Sequence, residues 1–344
     1  MAQAAESINP GVRTWEARAS TSHFLVALVF LLALPRVVGP QDVSTSQLRP
    51  VDPYKISVSV SSVVLHATVE DRKGAPVSGL AKDDFQVYED GSLQKLDFFS
   101  HEDIPVTVGL VLDNSGSMGP KRNEVIAAAL AFARSSNLQD QMFVVNFNEH
   151  VSFGLPADTP FTDKTEQLQA ALSKFKTSGE TALYDALAAA IEHLKLGNRD
   201  KKVLIVVSDG GDNASKYKLS QILEMAGKSD AIIYTIGIYT DEDPDKKPDA
   251  LRRLSNATGG AARFPGALAD VVPLCERIAR DIREQYTLAY APTNRRQDGT
   301  YRAIQVKASA SGHGRLSVRT RAGYYAPLAA QVTAPVASGQ SIRP

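Results

Sequence analysis

Two hydrophobic periodicities divide the chain. Across residues 54–69 apolar and polar side chains alternate. Ile56, Val58 and Val60 come first, and after a phase slip at Ser61 and Ser62 the series resumes with Val63, Leu65, Ala67 and Val69. Period two predicts strands with one buried face, and the slip predicts a bulge or tight turn between two strand segments. Asp71 to Pro76 is turn chemistry. Phe85 and Val87 on one side of Glu89-Asp90-Gly91, with Leu96 and Phe98 on the other, predict a hairpin. Alternation returns after Glu284, with Tyr286, Leu288 and Tyr290, then residues 301–306 and 316–325, separated by turn signals at Asp298-Gly299 and Gly312.

Between these flanks the pattern changes. Apolar runs at 106–112, 142–147, 203–207 and 231–238 are continuous, and helical patterns fall between them at 124–133, 164–175, 181–196 and 219–226. Strands apolar on both faces and alternating with helices predict a mostly parallel sheet covered on both sides. Gly259-Gly260 reads as a helix stop. Val271, Leu274, Cys275, Ile278 and Ile282 form the stripe of a last helix over 268–284.

The expected fold class is therefore α/β, a doubly wound, mostly parallel sheet inserted between strands of a small β-sandwich-like domain. Residues 54–102 and 285–327 are its β-rich segments and 103–284 the insert. Neither flank alone has enough strands to bury its faces. Residues 40–53 read as a linker and 328–344 as a disordered tail rich in Ala, Pro, Gly and Ser. In residues 1–39 an apolar run at 24–34 follows Arg13 and Arg18. That is the length of a secretory core and short for a membrane span, so a signal peptide or an uncleaved N-terminal anchor is expected. Either implies an exported protein, periplasmic, on the cell surface or secreted, and the anchor is the one expected contact with a membrane.

Lys and Arg balance Asp and Glu at 38 each, so no overall field draws the chain to nucleic acid. A single cysteine, Cys275, excludes an internal disulfide and a cysteine-based zinc site. It sits in the last apolar stripe, as a small buried hydrophobe would.

The candidate chemistry begins where the first apolar run ends. Asp113-Asn114-Ser115-Gly116-Ser117 places a carboxylate at a strand end with hydroxyls at alternate positions after it. Thr181 opens a helical pattern, and Asp209 follows the strand at 203–207. Ligands of such sheets bind beyond the carboxyl ends of the strands, where Asp113 and Asp209 lie. The order Asp-x-Ser-x-Ser, Gly-x-Thr-x-Leu, then strand-Ser-Asp-Gly resembles the von Willebrand factor type A (VWA) domain and its metal-ion-dependent adhesion site over about residues 103–284. The flanks, with Asp84-Phe85 to Glu89-Asp90-Gly91 before and Arg321 to Tyr325 after, are similar to the exported VWA-related proteins of acidobacteria.

The resemblance implies a metal site of Asp113, Ser115, Ser117, Thr181 and Asp209, with one position left for an Asp or Glu of a protein partner. All five offer oxygen, a set that suits Mg²⁺, with Mn²⁺ next. Asn114 and Glu180 are expected at the partner-binding rim, and Glu180 departs from the family, many of whose members carry Gly before the Thr. The expected function is a divalent-cation-dependent protein-binding or adhesion module and not an enzyme. A metal-dependent hydrolase, with Glu180 as base, and a scaffold with a vacant site are the alternatives. Other enzyme readings lack their signatures. No second Asp stands at position 115, no Gly precedes Ser117 by two residues, the histidines have no ligand spacing, and no Gly-rich phosphate loop follows a strand.

Overall fold

The computed structural model describes residues 62–174, 176–239 and 247–328. The expected signal or anchor segment, the linker, the alternation at 54–60 and the tail from 329 onward lie outside the described residues. Among the described residues no helix is long and apolar enough to cross a membrane.

The N-terminal flank supplies β1 (Val63–Glu70), β2 (Phe85–Glu89), β3 (Ser92–Gln94) and β4 (Leu96–Ser100). The central block follows. It comprises β5 (Val106–Asp113), α1 (Arg122–Ser135), β6 (Gln141–Phe147), β7 (Val151–Phe153), α2 (Thr165–Ser173), α3 (Leu183–Leu194), β8 (Lys201–Ser208), α4 (Leu219–Lys228), β9 (Ala231–Gly237), α5 (Pro248–Thr258), β10 (Ala262–Arg263) and α6 (Val271–Arg283). The C-terminal flank supplies β11 (Tyr286–Tyr290), β12 (Tyr301–Ala308), β13 (Ser317–Arg319) and β14 (Gly323–Tyr325).

The central sheet has the order β10-β9-β8-β5-β6-β7 and is parallel except for the short edge strand β7. Every residue of β5 is buried, as its continuous apolar run requires. Helices shield the sheet, and α6 packs Val271, Cys275, Ile278 and Ile282 into the same core. Burial pushes the Cys275 thiol up to about 12, so it stays a thiol. Gly259, in the left-handed region at φ +83°, ends α5. The last helix is shorter than its stripe predicts. A 3-10 turn over Leu268–Asp270 precedes it, with the Asp270 carboxylate accepting the Ala267 N–H.

The two flanks form one β-sandwich. Sheets β13-β1-β11-β4 and β14-β12-β2-β3 each mix strands from both ends of the chain. They enclose a core that includes Leu65, Val87, Leu96, Tyr286, Leu288 and Tyr290. Within it Glu89 and Arg302 form a buried ion pair, and Glu89 also accepts the hydroxyls of Tyr290 and Tyr324. One expectation is corrected. The hairpin at Asp90-Gly91 forms, with positive φ at both residues, but its second arm is β3, which pairs Val87 with Gln94. Leu96 and Phe98 belong to β4 in the opposite sheet, beside β11. The chain changes sheets because Gln94 ties the end of β3 to Ser92 and Thr293, after which Leu96 turns into the shared core.

Buried polar groups join the sandwich to the α/β layer. The Gln285 amide, in the link between α6 and β11, donates to Thr68 and Tyr234. Lys201, at the start of β8, donates to the carbonyl of Ile282 in the last turn of α6, where unpaired carbonyls favour a cation. Burial brings the Lys201 amine down to about 7, against the pull of Asp103 and Asp140.

A folded-state value below the unfolded 10.5 means that the folded chain holds fewer protons between those limits. Lys201 therefore makes stability rise with pH through that window and is least favourable below pH 7. Burial pushes Asp140 up to about 6, so its own effect lies at lower pH. Lys201→Met is expected to remove a rise on the order of 1 kcal/mol per pH unit. Urea unfolding of both proteins between pH 7.5 and 9.5 measures the difference; parallel pH profiles would refute it.

Candidate metal centre

Adjacent parallel strands bring the two candidate carboxylates to one edge of the sheet. β5 and β8 pair with Leu112 opposite Val207, so Asp113 and Asp209 both emerge at the carboxyl end. Asp113 then shapes its own loop. One carboxylate oxygen accepts the Ser115 N–H at 2.8 Å, the hydrogen bond of an Asx turn. The other accepts the Ser208 hydroxyl at 2.6 Å. Asp209 accepts the Ser117 hydroxyl at 2.5 Å, and the hydroxyls of Ser115 and Ser117 lie 3.2 Å apart. Four of the five expected residues thus form one hydrogen-bonded chain across the sheet edge, joined between Asp113 and Ser115 through the Ser115 backbone N–H.

Thr181 stands on a second loop docked to the first. The Ser178 N–H donates to the Asn114 carbonyl, and the Gly116 N–H to the Gly179 carbonyl, at 2.9 and 3.1 Å. Gly179 takes φ +76°, which favours glycine. The segment after Asp209 holds Thr181 from the other side. Asn213 accepts the Thr181 N–H at 2.8 Å, while the Thr181 carbonyl accepts the N–H groups of Asn213 and Ala214. Thr181 is buried and precedes α3 by two residues, so its hydroxyl stands ahead of the helix and not on it.

The two rim candidates part company. Asn114 is buried and its amide points inward, donating to Asn146 and to the Leu112 carbonyl while accepting from Arg122 at 2.7 Å. It braces the loop and presents no side chain to a partner. Glu180 is exposed, as a rim residue must be. Its N–H donates to the carboxylate of Glu149, which lies against Gly179.

Sequence reasoning missed Asn146, Asn213, Arg122 and Glu149, and gave Ser208, quoted in the motif beside Asp209, no role of its own. Asn146 carried a signal, being a polar residue inside the apolar run at 142–147. Glu149 carried none, since its position follows from how two loops meet.

Asp113 and Asp209 are 3% and 5% exposed, and among the described residues neither forms an ion pair. Burial, then the charge of Asp209, pushes the Asp113 carboxyl up to about 6, against hydrogen bonds from Ser115 and Ser208. Among the described residues no three His, Cys, Asp or Glu side chains converge to hold a metal. What the sheet edge offers is two carboxylates and neighbouring hydroxyls, a hard-oxygen set that fits a small divalent cation.

Residues 107–267 match the family model described as the von Willebrand factor type A domain. Among curated proteins no sequence matches the chain. Among solved structures, the chain is similar to a von Willebrand factor type A protein from Catenulispora acidiphila. The identity is 13%, the match covers 80% of this chain and 76% of that one, and the TM-score is 0.48. It is also similar to the vWF domain of the type V pili tip protein Mfa5 from Porphyromonas gingivalis, at 14% identity over 52% and 95% of the two chains, with a TM-score of 0.42. The PilB minor pilin from Streptococcus sanguinis gives 12% identity over 52% of this chain and 61% of that one, with a TM-score of 0.43.

Asn114→Ala tests the brace. It leaves the Asn146 carbonyl and the Arg122 guanidinium short of a partner, a loss of about 1–3 kcal/mol. Thermal unfolding in EDTA is expected to show this loss, because the brace acts without a cation; an unchanged midpoint would dismiss it.

Proposed function

We propose, for a chain that carries a von Willebrand factor type A domain, that Asp113, Ser115, Ser117, Thr181 and Asp209 hold Mg²⁺ and that the protein binds an acidic side chain of a protein partner there. The observation that carries this reading is the pair of buried carboxylates at one sheet edge, with hydroxyls between them and no ion pair among the described residues. Two like charges so placed repel, and the cost of burying them falls when a cation lies between. Mn²⁺ is the next candidate on the same donor chemistry. When bound, the cation supplies a positive centre that attracts a carboxylate.

The chain's own residues arrange the approach. Ser208 fixes one oxygen of Asp113 and the Ser115 N–H fixes the other, so this carboxylate cannot rotate freely. Ser117 and Gly116 are exposed, leaving the loop face open to a partner. Asn114, with Asn146 and Arg122, keeps the loop seated. Glu180 and Glu149 make the rim acidic, and Glu180 contacts the partner beside the site. Export through the N-terminal segment belongs to the same reading, since an adhesion module works outside the cell; the apolar run at 24–34 supports it.

Calorimetric titration of the full chain with Mg²⁺, alongside Asp113→Ala, tests the site. Wild type is expected to bind one Mg²⁺ and to unfold at higher temperature in its presence, and the variant to lose both effects. Absence of binding in wild type, or equal binding in the variant, refutes the metal reading. For the partner, capture by the immobilised full chain is expected in Mg²⁺ and not in EDTA, and to fail when the partner's acidic residue is changed to its amide.

A further inference from the structure

The segment that follows Asp209 is fixed to the N-terminal end of α3. Asp212 accepts the Tyr184 N–H at 3.2 Å and the Ser215 hydroxyl at 2.5 Å. Ser215 in turn accepts the N–H groups of Tyr184 and Asp185 at 3.0 and 3.1 Å. One oxygen of Asp185 accepts the N–H groups of Lys216 and Tyr217 at 2.9 and 3.0 Å. With Asn213 bound to the Thr181 backbone, the chain from Asp212 to Tyr217 is held along its length. Lys216, Tyr217 and Lys218 are exposed, Tyr217 to 42%. Scattered apolar side chains on a surface need no explanation. Yet the six other large ones exposed among the described residues lie on no loop that carries a site residue. An aromatic side chain on fixed backbone beside a site is a common anchor of a recognition surface.

The charges around the candidate centre are sorted by side. The sheet order β8-β5-β6 places the loop after β5, with Ser115 and Ser117, in the middle. Beyond β6 stands Glu149, against Gly179 and the exposed Glu180. Lys176, in the same loop as Glu180, offsets part of that charge. Beyond β8 come Lys216 and Lys218, neither of which forms an ion pair among the described residues. Lys247 adds to them, close enough for its charge to act on Asp212. The carboxylates on this side, Asp185 and Asp212, already serve backbone N–H groups. A carboxylate-bearing segment that crosses the centre is therefore attracted on the β8 side and repelled on the β6 side, which fixes its direction.

We propose, resting on the metal reading above, that Lys216, Tyr217 and Lys218 form a second contact for the protein partner. The partner then presents an acidic segment. One carboxylate goes to the cation, the next ones to the two lysines, and an apolar side chain lies on Tyr217. Glu149 and Glu180 face the neutral or basic end of that segment.

Fluorescence anisotropy of the full chain with blocked synthetic peptides tests this. One peptide carries a central Asp beside a Leu, with glutamates on one side and glycines on the other; its counterpart has lysines in place of the glutamates. Both chain directions of each are made, and the tighter is compared. In Mg²⁺ the glutamate peptide is expected to bind wild type about tenfold tighter than the lysine peptide. Lys216→Glu with Lys218→Glu is expected to abolish or invert that preference, and Tyr217→Ser to weaken the glutamate peptide about threefold. The bonds that hold the segment come from backbone N–H groups, so these variants keep them. Lys73→Glu with Lys82→Glu, the same change of charge between β1 and β2, is expected to alter nothing. Calorimetry with Mg²⁺ on every variant reads the centre separately. Mg²⁺ binding by wild type with equal affinity for the two peptides, or none for either, overturns the second contact and leaves the metal centre standing. A preference that survives the reversal, or persists in EDTA, does the same. Wild type that binds no Mg²⁺ overturns both.

Discussion

The parallel pairing of β5 with β8 is the constraint on which the rest depends. It sets Leu112 against Val207 in the middle of a buried sheet, which leaves Asp113 and Asp209 no choice but to emerge together. Two carboxylates in that position cannot be separated without breaking the ladder. The surrounding polar groups answer their presence: Ser208 and the Ser115 amide bind one, and Ser117 and the Gly211 amide bind the other. The sheet creates the electrostatic problem, and the loops are shaped around it.

Much of this was legible in the sequence, for a physical reason. Strands buried on both faces are written as unbroken apolar runs, so their carboxyl ends can be located to a residue, and Asp113 and Asp209 stand just there. Ser115, Ser117 and Thr181 were readable because they repeat a family's spacing. The second layer was not. Asn213 and Glu149 act through contacts between segments far apart in sequence, and nothing local distinguishes them from turn residues. Asn114 shows the opposite failure: its place in the motif suggested a surface role, while Asn146, marked by its polarity within an apolar run, and Arg122, unmarked in the sequence, draw it inward.

The flanks teach the same lesson about sheets. Alternation located most of the strands and showed which face each would bury. It did not say which sheet a strand would enter, and the partner of β2 was misread for that reason. Leu96 and Phe98 fit the alternation of a hairpin arm as well as that of β4; Gln94, tied to Thr293 across the sandwich, decides between them. Edge strands such as β7 and β10 are too short to carry a period at all.

The pairing of Val63 with Tyr290 has a consequence for the order of events during synthesis. A chain made from its N-terminus completes β1 to β4 long before β11 exists, so those strands must wait with unpaired edges. The α/β block between them is contiguous and its pairings are comparatively local, so it is the unit able to fold first. Once α6 has docked, Gln285 delivers the next strand to the place where β1 is waiting. The insert is thus the internal template on which the outer domain is assembled, and a lesion in α6 would appear first as a failure of the sandwich to close.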